Sequence, residues 1–205
     1  MTHGDDSGLV LPPAVAPIQV VVIPVQQHKE GVLDGAKKIY ETLKAAGIRV
    51  KLDDSDQSPG WKFSEYEMKG VPLRIEIGPR DLAEEKCVIV RRDNRQKSFV
   101  QIADLVEETK KGLCDLANAI FQKALENRKN RTYTANNLEE LKKIADEKNG
   151  YIRAMWCGDI ECELKLKEEA DVSSRCIPFG EEGFADTCVC CNRAAKKLVY
   201  WGKAY

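Results

Sequence analysis

The stretch Ile18-Gln-Val-Val-Val-Ile-Pro-Val25 decides the fold. It is a nearly continuous β-branched run, which predicts a strand buried on both faces. Gly31–Ala46 follows, with Val32, Ala36, Ile39, Tyr40 and Leu43 on one helical face and Gly47 placed to end it. Ile48, Val50 and Leu52 alternate with Arg49, Lys51 and Asp53, giving a second strand. Ser58-Pro59 reads as a helix N-cap with proline in the first turn, and Gly70 closes that helix. Val71, Leu73, Ile75 and Ile77 alternate with Pro72, Arg74 and Glu76 in a third strand. Short strands at Cys87–Val90 and Ser98–Gln101 precede a helix over about Ile102–Arg128, which carries Leu113, Leu116, Ala117, Ile120, Phe121, Ala124 and Leu125 at helical spacing. This order predicts an α/β domain, a mixed sheet with flanking helices, over residues 18–128.

Upstream, Gly8–Pro17 holds three prolines and reads as an extended connector, so residues 1–17 form a linker from a part that precedes them. Downstream, the polar segment Asn127–Thr134 marks a domain boundary. A small α+β domain is expected over 129–205. Asn137 caps a helix to about Lys148 with Leu138, Leu141 and Ile144 inward. Tyr151–Trp156 reads as a strand, Glu161–Ala170 as a helix, and Val172–Pro178 and Lys197–Trp201 as strands.

The formal net charge is −1, which argues against a broad, sequence-blind nucleic-acid binder but leaves room for a local base-reading site. No apolar run approaches the ~20 residues of a membrane span, and the acidic start Met1-Thr-His-Gly-Asp-Asp6 is no signal peptide. A cytoplasmic, reducing location is the default.

Six of the eight cysteines lie after residue 156, and in a cytosolic chain such clustering suggests metal before disulfide. Cys157-Gly-Asp-Ile-Glu-Cys162 and Cys188-Val-Cys-Cys191 are two short hooks separated by a helix and a strand. Cys157, Cys162, Cys188 and Cys191 are therefore candidate ligands of a closed, structural Cys₄ zinc site. Cys190 can stand in for Cys188 or Cys191, while Cys176, in its strand, reads as a buried bystander. Incidental free thiols and a redox pair remain alternatives, the latter without the βαβ context a thioredoxin-like motif needs. Cys87 and Cys114 read as core or incidental residues. His3 and His28 have no second ligand or base nearby in sequence.

Several long motifs carry a family resemblance. They are Thr2–Gln19; Asp53-Asp-Ser-Asp-Gln57 with Pro59-Gly-Trp-Lys-Phe-Ser-Glu-Tyr-Glu-Met-Lys-Gly-Val-Pro72; Arg74-Ile-Glu-Ile-Gly-Pro-Arg-Asp-Leu82; the two thiol hooks; and the ending Lys203-Ala-Tyr205. Over essentially its whole length the chain resembles the C-terminal part of prolyl-tRNA synthetases of the form with an extra zinc domain. The resemblance implies an anticodon-binding domain followed by a zinc-binding domain, behind an exit segment from a class II catalytic domain. It implies a parent ligase that uses ATP and Mg to attach proline to tRNA(Pro) and works as a homodimer, with the fragment inactive alone.

The anticodons for proline end in two guanines. An unpaired guanine is met by carboxylates at its Watson–Crick donors, by Arg or Lys at its acceptors, and by an aromatic ring for stacking. The resemblance assigns these roles to Phe63, Glu67, Arg74, Arg80, Asp81 and Lys97. It also places the carboxylate of Tyr205 near the parent's active site. Where the family's turn reads Gly-Pro-Lys-Asp, Arg80 stands here, and arginine adds bidentate bonding. Plainer readings stand beside these. Phe63 fits the core face of an amphipathic helix, Glu67 and Arg74 fit a solvated ion pair, and Asp81 fits a cap. A freestanding zinc-containing RNA-binding or interaction module is the alternative for the chain as a whole.

Overall fold

The protein is described from a computed structural model, covering residues 3–180 and 182–203. It divides into two compact units, the first ending at Lys123 and the second beginning at Ala124.

The first unit is built on a five-stranded mixed sheet. In chain order it contains β1 (Gly4–Asp5), β2 (Gly8–Leu9), β3 (Val20–Pro24), α1 (Val32–Ala45), β4 (Val50–Leu52), α2 (Pro59–Met68), β5 (Leu73–Ile77), α3 (Pro79–Ala83), β6 (Lys86–Arg91) and β7 (Lys97–Gln101). A 3₁₀ turn at Ile102–Asp104 leads into α4 (Leu105–Asn130). The strand order is β4-β3-β5-β6-β7, with β3 parallel to β4 and β5, and with β6 antiparallel to β5 and to β7. The β-branched run makes β3 buried at every position, as a strand covered on both faces requires.

Alternation divides that burial between two faces. Val20, Val22, Leu73, Ile75, Ile77, Cys87 and Ile89 join Ala36, Ile39 and Leu43 of α1 and Leu113 and Leu116 of α4 in the main core. Val21 and Ile23 face the other way, onto Tyr66 and Phe63 of α2. Each large apolar side chain buried this way contributes about 1.5–3 kcal/mol. The apolar stripe of α4 is shorter than its sequence spacing suggests, because Phe121 is 63% exposed.

A buried polar knot fixes α2 to the sheet. Ser58 caps the helix by accepting the amide N–H of Trp61 at 3.3 Å, and Pro59 occupies the first turn. One turn in, Lys62 is buried to 1% exposure. Its ammonium donates to the Asp53 carbonyl at 2.9 Å and lies 3.6 Å from the Asp53 carboxylate. Burial works to raise the Asp53 pKa, but the hydroxyl and amide of Ser55, the Tyr66 hydroxyl and the Lys62 charge outweigh it and hold the carboxyl below its ordinary range.

The expected connector is docked rather than free. Gly4–Asp5 and Gly8–Leu9 pair as a small hairpin, because prolines enter only from Pro12 onward. The Arg92 side chain donates to both carboxylate oxygens of Asp5 at 2.8 and 2.6 Å, and Arg49 donates to the carbonyls of Pro13, Ala14 and Ala16. The short α3 was not visible in the sequence pattern. It arises where the Asp81 carboxylate accepts the Gly78 amide N–H at 2.7 Å behind Pro79 at the first helical position.

The second unit has the sheet order β10-β11-β9-β8. Its elements are β8 (Thr132–Thr134), α5 (Leu138–Glu147), β9 (Tyr151–Trp156), α6 (Ile160–Ala170), β10 (Val172–Cys176) and β11 (Lys197–Lys203). β8 lies within the segment read as a boundary and pairs parallel to β9. Leu141, Ile152, Ala154, Leu166, Val199 and Trp201 form the core. Asn137 caps α5 by accepting the Glu140 amide N–H at 2.9 Å. The turn into β9 depends on Gly150. Its φ is +148°, and an added Cβ would stand 2.0 Å from the Arg131 carbonyl oxygen.

Two outcomes follow. Gly150→Ala should destabilise the second unit by at least about 1–3 kcal/mol from backbone strain, read by thermal unfolding followed at its tryptophans. Asp53, with its folded pKa depressed, contributes stability that is present above the ordinary carboxylate range and lost as pH falls through its lower folded value. An Asp53→Asn chain should therefore lose less stability than the unaltered chain on acidification from about pH 5 to about pH 2.

Candidate nucleic-acid interface and metal centre

Strand β5 has the burial pattern of a half-covered strand, so Arg74 and Glu76 point away from the main core. On that side they meet α2. The Arg74 guanidinium lies over the Phe63 ring at 4.1 Å from its centroid. Its Nη1 is 3.3 Å from Glu67, and its Nε and Nη2 are both 2.9 Å from Glu76 Oε1. Arg95 reaches Glu67 at 3.8 Å, and Lys97 reaches Glu76 at 3.8 Å. Three cations thus surround two carboxylates over one aromatic ring. Phe63 is half-buried, so it serves the small core beneath α2 and the surface at once.

The structure brings Phe63, Glu67 and Arg74 into direct contact and links Lys97 to them through Glu76. Arg80 and Asp81 stand apart, on α3 beyond the far end of β5. Among the described residues, no contact joins either to Phe63, Glu67 or Arg74. Arg80 is exposed. Asp81 caps α3, and its charge reaches Cys87 on the main-core side, where burial first and Asp81 second push the thiol up to about 11. Glu76 and Arg95 were missed as members of the cluster. The alternation that singled out Arg74 also puts Glu76 on the same face; Arg95 sits in a turn with φ +59° and leaves no periodic signal. Tyr205 lies outside the described residues.

The second unit gathers thiols. Cys157 follows β9, and Gly158 at φ +89° turns the chain toward α6, where Cys162 lies in the first turn. Asp159 caps that helix by accepting the Glu161 amide N–H at 3.1 Å. The opposite hook is a tight turn. The Cys188 amide donates to the Arg193 carbonyl at 2.8 Å, and Asn192, at φ +56°, donates its amide back to the Cys188 carbonyl at 3.0 Å.

The sulfurs of Cys157, Cys162, Cys188 and Cys191 all lie within 4.8 Å of one another. The Cys157–Cys162 and Cys191–Cys157 separations are 3.7 and 3.8 Å. Sulfurs at the corners of a tetrahedron ~2.3 Å from a central ion stand about 3.8 Å apart, so the donor set and the two stated separations fit a tetrahedral metal ion. Cys190 packs against both the unit's core and the thiol cluster, outside the group of four. Cys176 is exposed, against the expectation of burial, because β10 ends there in a register irregularity at the sheet edge.

Arg193 sits beside the thiols. Its guanidinium donates to Cys191 Sγ at 3.2 Å and to Asp159 at 2.7 Å. That contact holds the Cys191 thiol down to about 6, whereas burial pushes the Cys157 thiol up. A cation at this position would offset the surplus negative charge of four thiolates if they held one divalent ion.

Residues 19–112 match a family described as an anticodon binding domain, and residues 138–205 match one described as the C-terminal part of prolyl-tRNA synthetase. Proline--tRNA ligase 2 of Bacillus cereus strain ZK / E33L is 54% identical over all 205 residues, and the Proline--tRNA ligase of Clostridium novyi strain NT is 55% identical over the same span. The chain spans 43% of the length of each of these relatives.

Elemental analysis should find about one divalent ion per chain. Cys191→Ser should reduce it well below that and lower the melting temperature of the second unit, while Cys190→Ser and Cys176→Ser should retain it. Equal metal loss from Cys190→Ser and Cys191→Ser would contradict the ligand set.

Proposed function

Because the chain belongs to the prolyl-tRNA synthetase family, we propose that it is the tRNA-reading and C-terminal structural part of an ATP-dependent proline–tRNA ligase. In this reading residues 18–128 recognise the anticodon and residues 129–205 form the zinc-binding domain. Residues 1–17 lead in from the catalytic part of a longer, cytoplasmic, homodimeric protein, which supplies the ATP and Mg chemistry. The observation that carries the proposal is the contact of Phe63, Glu67 and Arg74 on one face of the sheet.

Glu67 and Glu76 offer carboxylate oxygens for the N1 and N2 donors of guanine. Arg74 and Lys97 offer donors for N7 and O6, and the stacked Phe63–Arg74 pair offers a planar surface to a splayed-out base. Arg80, exposed on α3, fits a second contact, with the other guanine. Asp81 holds α3 in place and thereby aims Arg80.

Zinc is the ion proposed for the thiol cluster. Four sulfur donors favour it over Mg or Ca, which take oxygen, and a site with four protein ligands keeps no position open for substrate. Its role is to hold the two hooks of a small unit together, which the hydrophobic core of so short a segment does weakly on its own.

The test is binding to an anticodon stem-loop of tRNA(Pro), compared with one whose two guanines are replaced. Glu67→Ala and Arg80→Ala should each cost about 1–3 kcal/mol on the first loop and little on the second. Equal losses on both loops would remove base reading and leave only attraction to phosphate.

A further inference from the structure

The face that carries Arg74 and Glu76 continues across two more strands. Residues directly opposite one another in an antiparallel sheet point to the same side. The register pairs Arg74 with Val90 and Val90 with Lys97; it pairs Glu76 with Val88 and Val88 with Phe99. Arg74, Val90 and Lys97 therefore form one row, and Glu76, Val88 and Phe99 the next. Val88 and Val90 are buried, at 8% and 4% exposure, whereas Phe99 is 74% exposed on the edge strand β7. An aromatic ring this open on a sheet surface gains little from folding, and lysine or a small polar residue would guard an edge strand better.

We infer that Phe99 is a stacking platform for an unpaired base of the bound RNA, extending the reading site across β6 and β7. The inference rests on the proposed tRNA-reading role and deepens it. Three observations favour a nucleobase over an apolar partner. The ring is isolated rather than part of an apolar patch, since its row contains the acidic Glu76 and its strand the basic Lys97, whose side chain is 58% exposed. It is continuous with the cluster of Phe63, Glu67 and Arg74 on a single sheet face. It stands two strand spacings, ~10 Å, from the Glu76 backbone, a span bridged by neighbouring nucleotides of an unpaired loop. An exposed aromatic ring beside a cation on an open sheet is the arrangement that accepts a base without reading its identity.

Binding of the full chain to the tRNA(Pro) anticodon stem-loop tests this, with Phe99→Ala and Phe99→Trp measured over a range of salt. Phe99→Ala should weaken binding roughly fivefold or more with the salt dependence unchanged, and Phe99→Trp should restore it. The Phe99→Ala penalty should vanish against the one loop, in a series of single abasic loops, that lacks the stacked base. Unaltered affinity of Phe99→Ala, or a penalty that persists against every abasic loop, would overturn the inference. These outcomes are separable from the base-reading role. If the unaltered chain discriminates against loops without the guanines while Phe99→Ala binds normally, only the stacking platform fails. If the unaltered chain does not discriminate, the reading role itself fails.

Discussion

The ammonium of Lys62, sealed beneath α2, is the constraint on which the surface of Phe63, Glu67 and Arg74 depends. A buried charge is costly unless paired, so the helix can seat only where Lys62 meets both the carbonyl and the carboxylate of Asp53. Such a pair adds little net stability compared with apolar packing, but it admits very few alternative placements. Lys62 and Tyr66 are four residues apart and share the inward face of α2. Phe63 and Glu67 follow each by one position, so a single rotation of the helix presents both to the strand bearing Arg74. The chemistry on the surface is positioned from below.

Each unit solves the problem of holding a polar cluster still by a different device. In the first, the sheet separates two tasks by alternation: odd positions of β5 fill the main core while Arg74 and Glu76 remain available. In the second, the apolar core ends near Trp156, and four thiols take over from there. The thiol hooks are held by capping and tight-turn hydrogen bonds from their own backbones, so the sulfurs converge through local geometry as well as through any ion.

Much of this was legible in the sequence. The β-branched run before an amphipathic helix announced the mixed sheet, and Ser58-Pro59 and Asn137 announced helix starts that the structure contains. The spacing of two cysteine pairs announced the thiol cluster. What escaped has physical reasons. The helix α3 is five residues long, too short for periodicity, and exists because Asp81 caps it. The hairpin of residues 4–9 depends on Arg92, which is distant in sequence. Cys176 looked buried because its strand pairs well up to Ser174, where the register then slips. Phe99 gains meaning only from cross-strand register, which a single strand's pattern does not encode.

The Arg74 guanidinium sits over the Phe63 ring while both neighbouring carboxylates grip it. In the free protein the pocket is thus occupied by its own side chain, with plane and charge already satisfied. A planar guest trades for contacts instead of adding them to an empty surface, so a poorly matched visitor has almost nothing to win. On the proposed reading, selectivity is set by the resident that a base must outbid, and the idle surface is protected from casual association in a crowded solution.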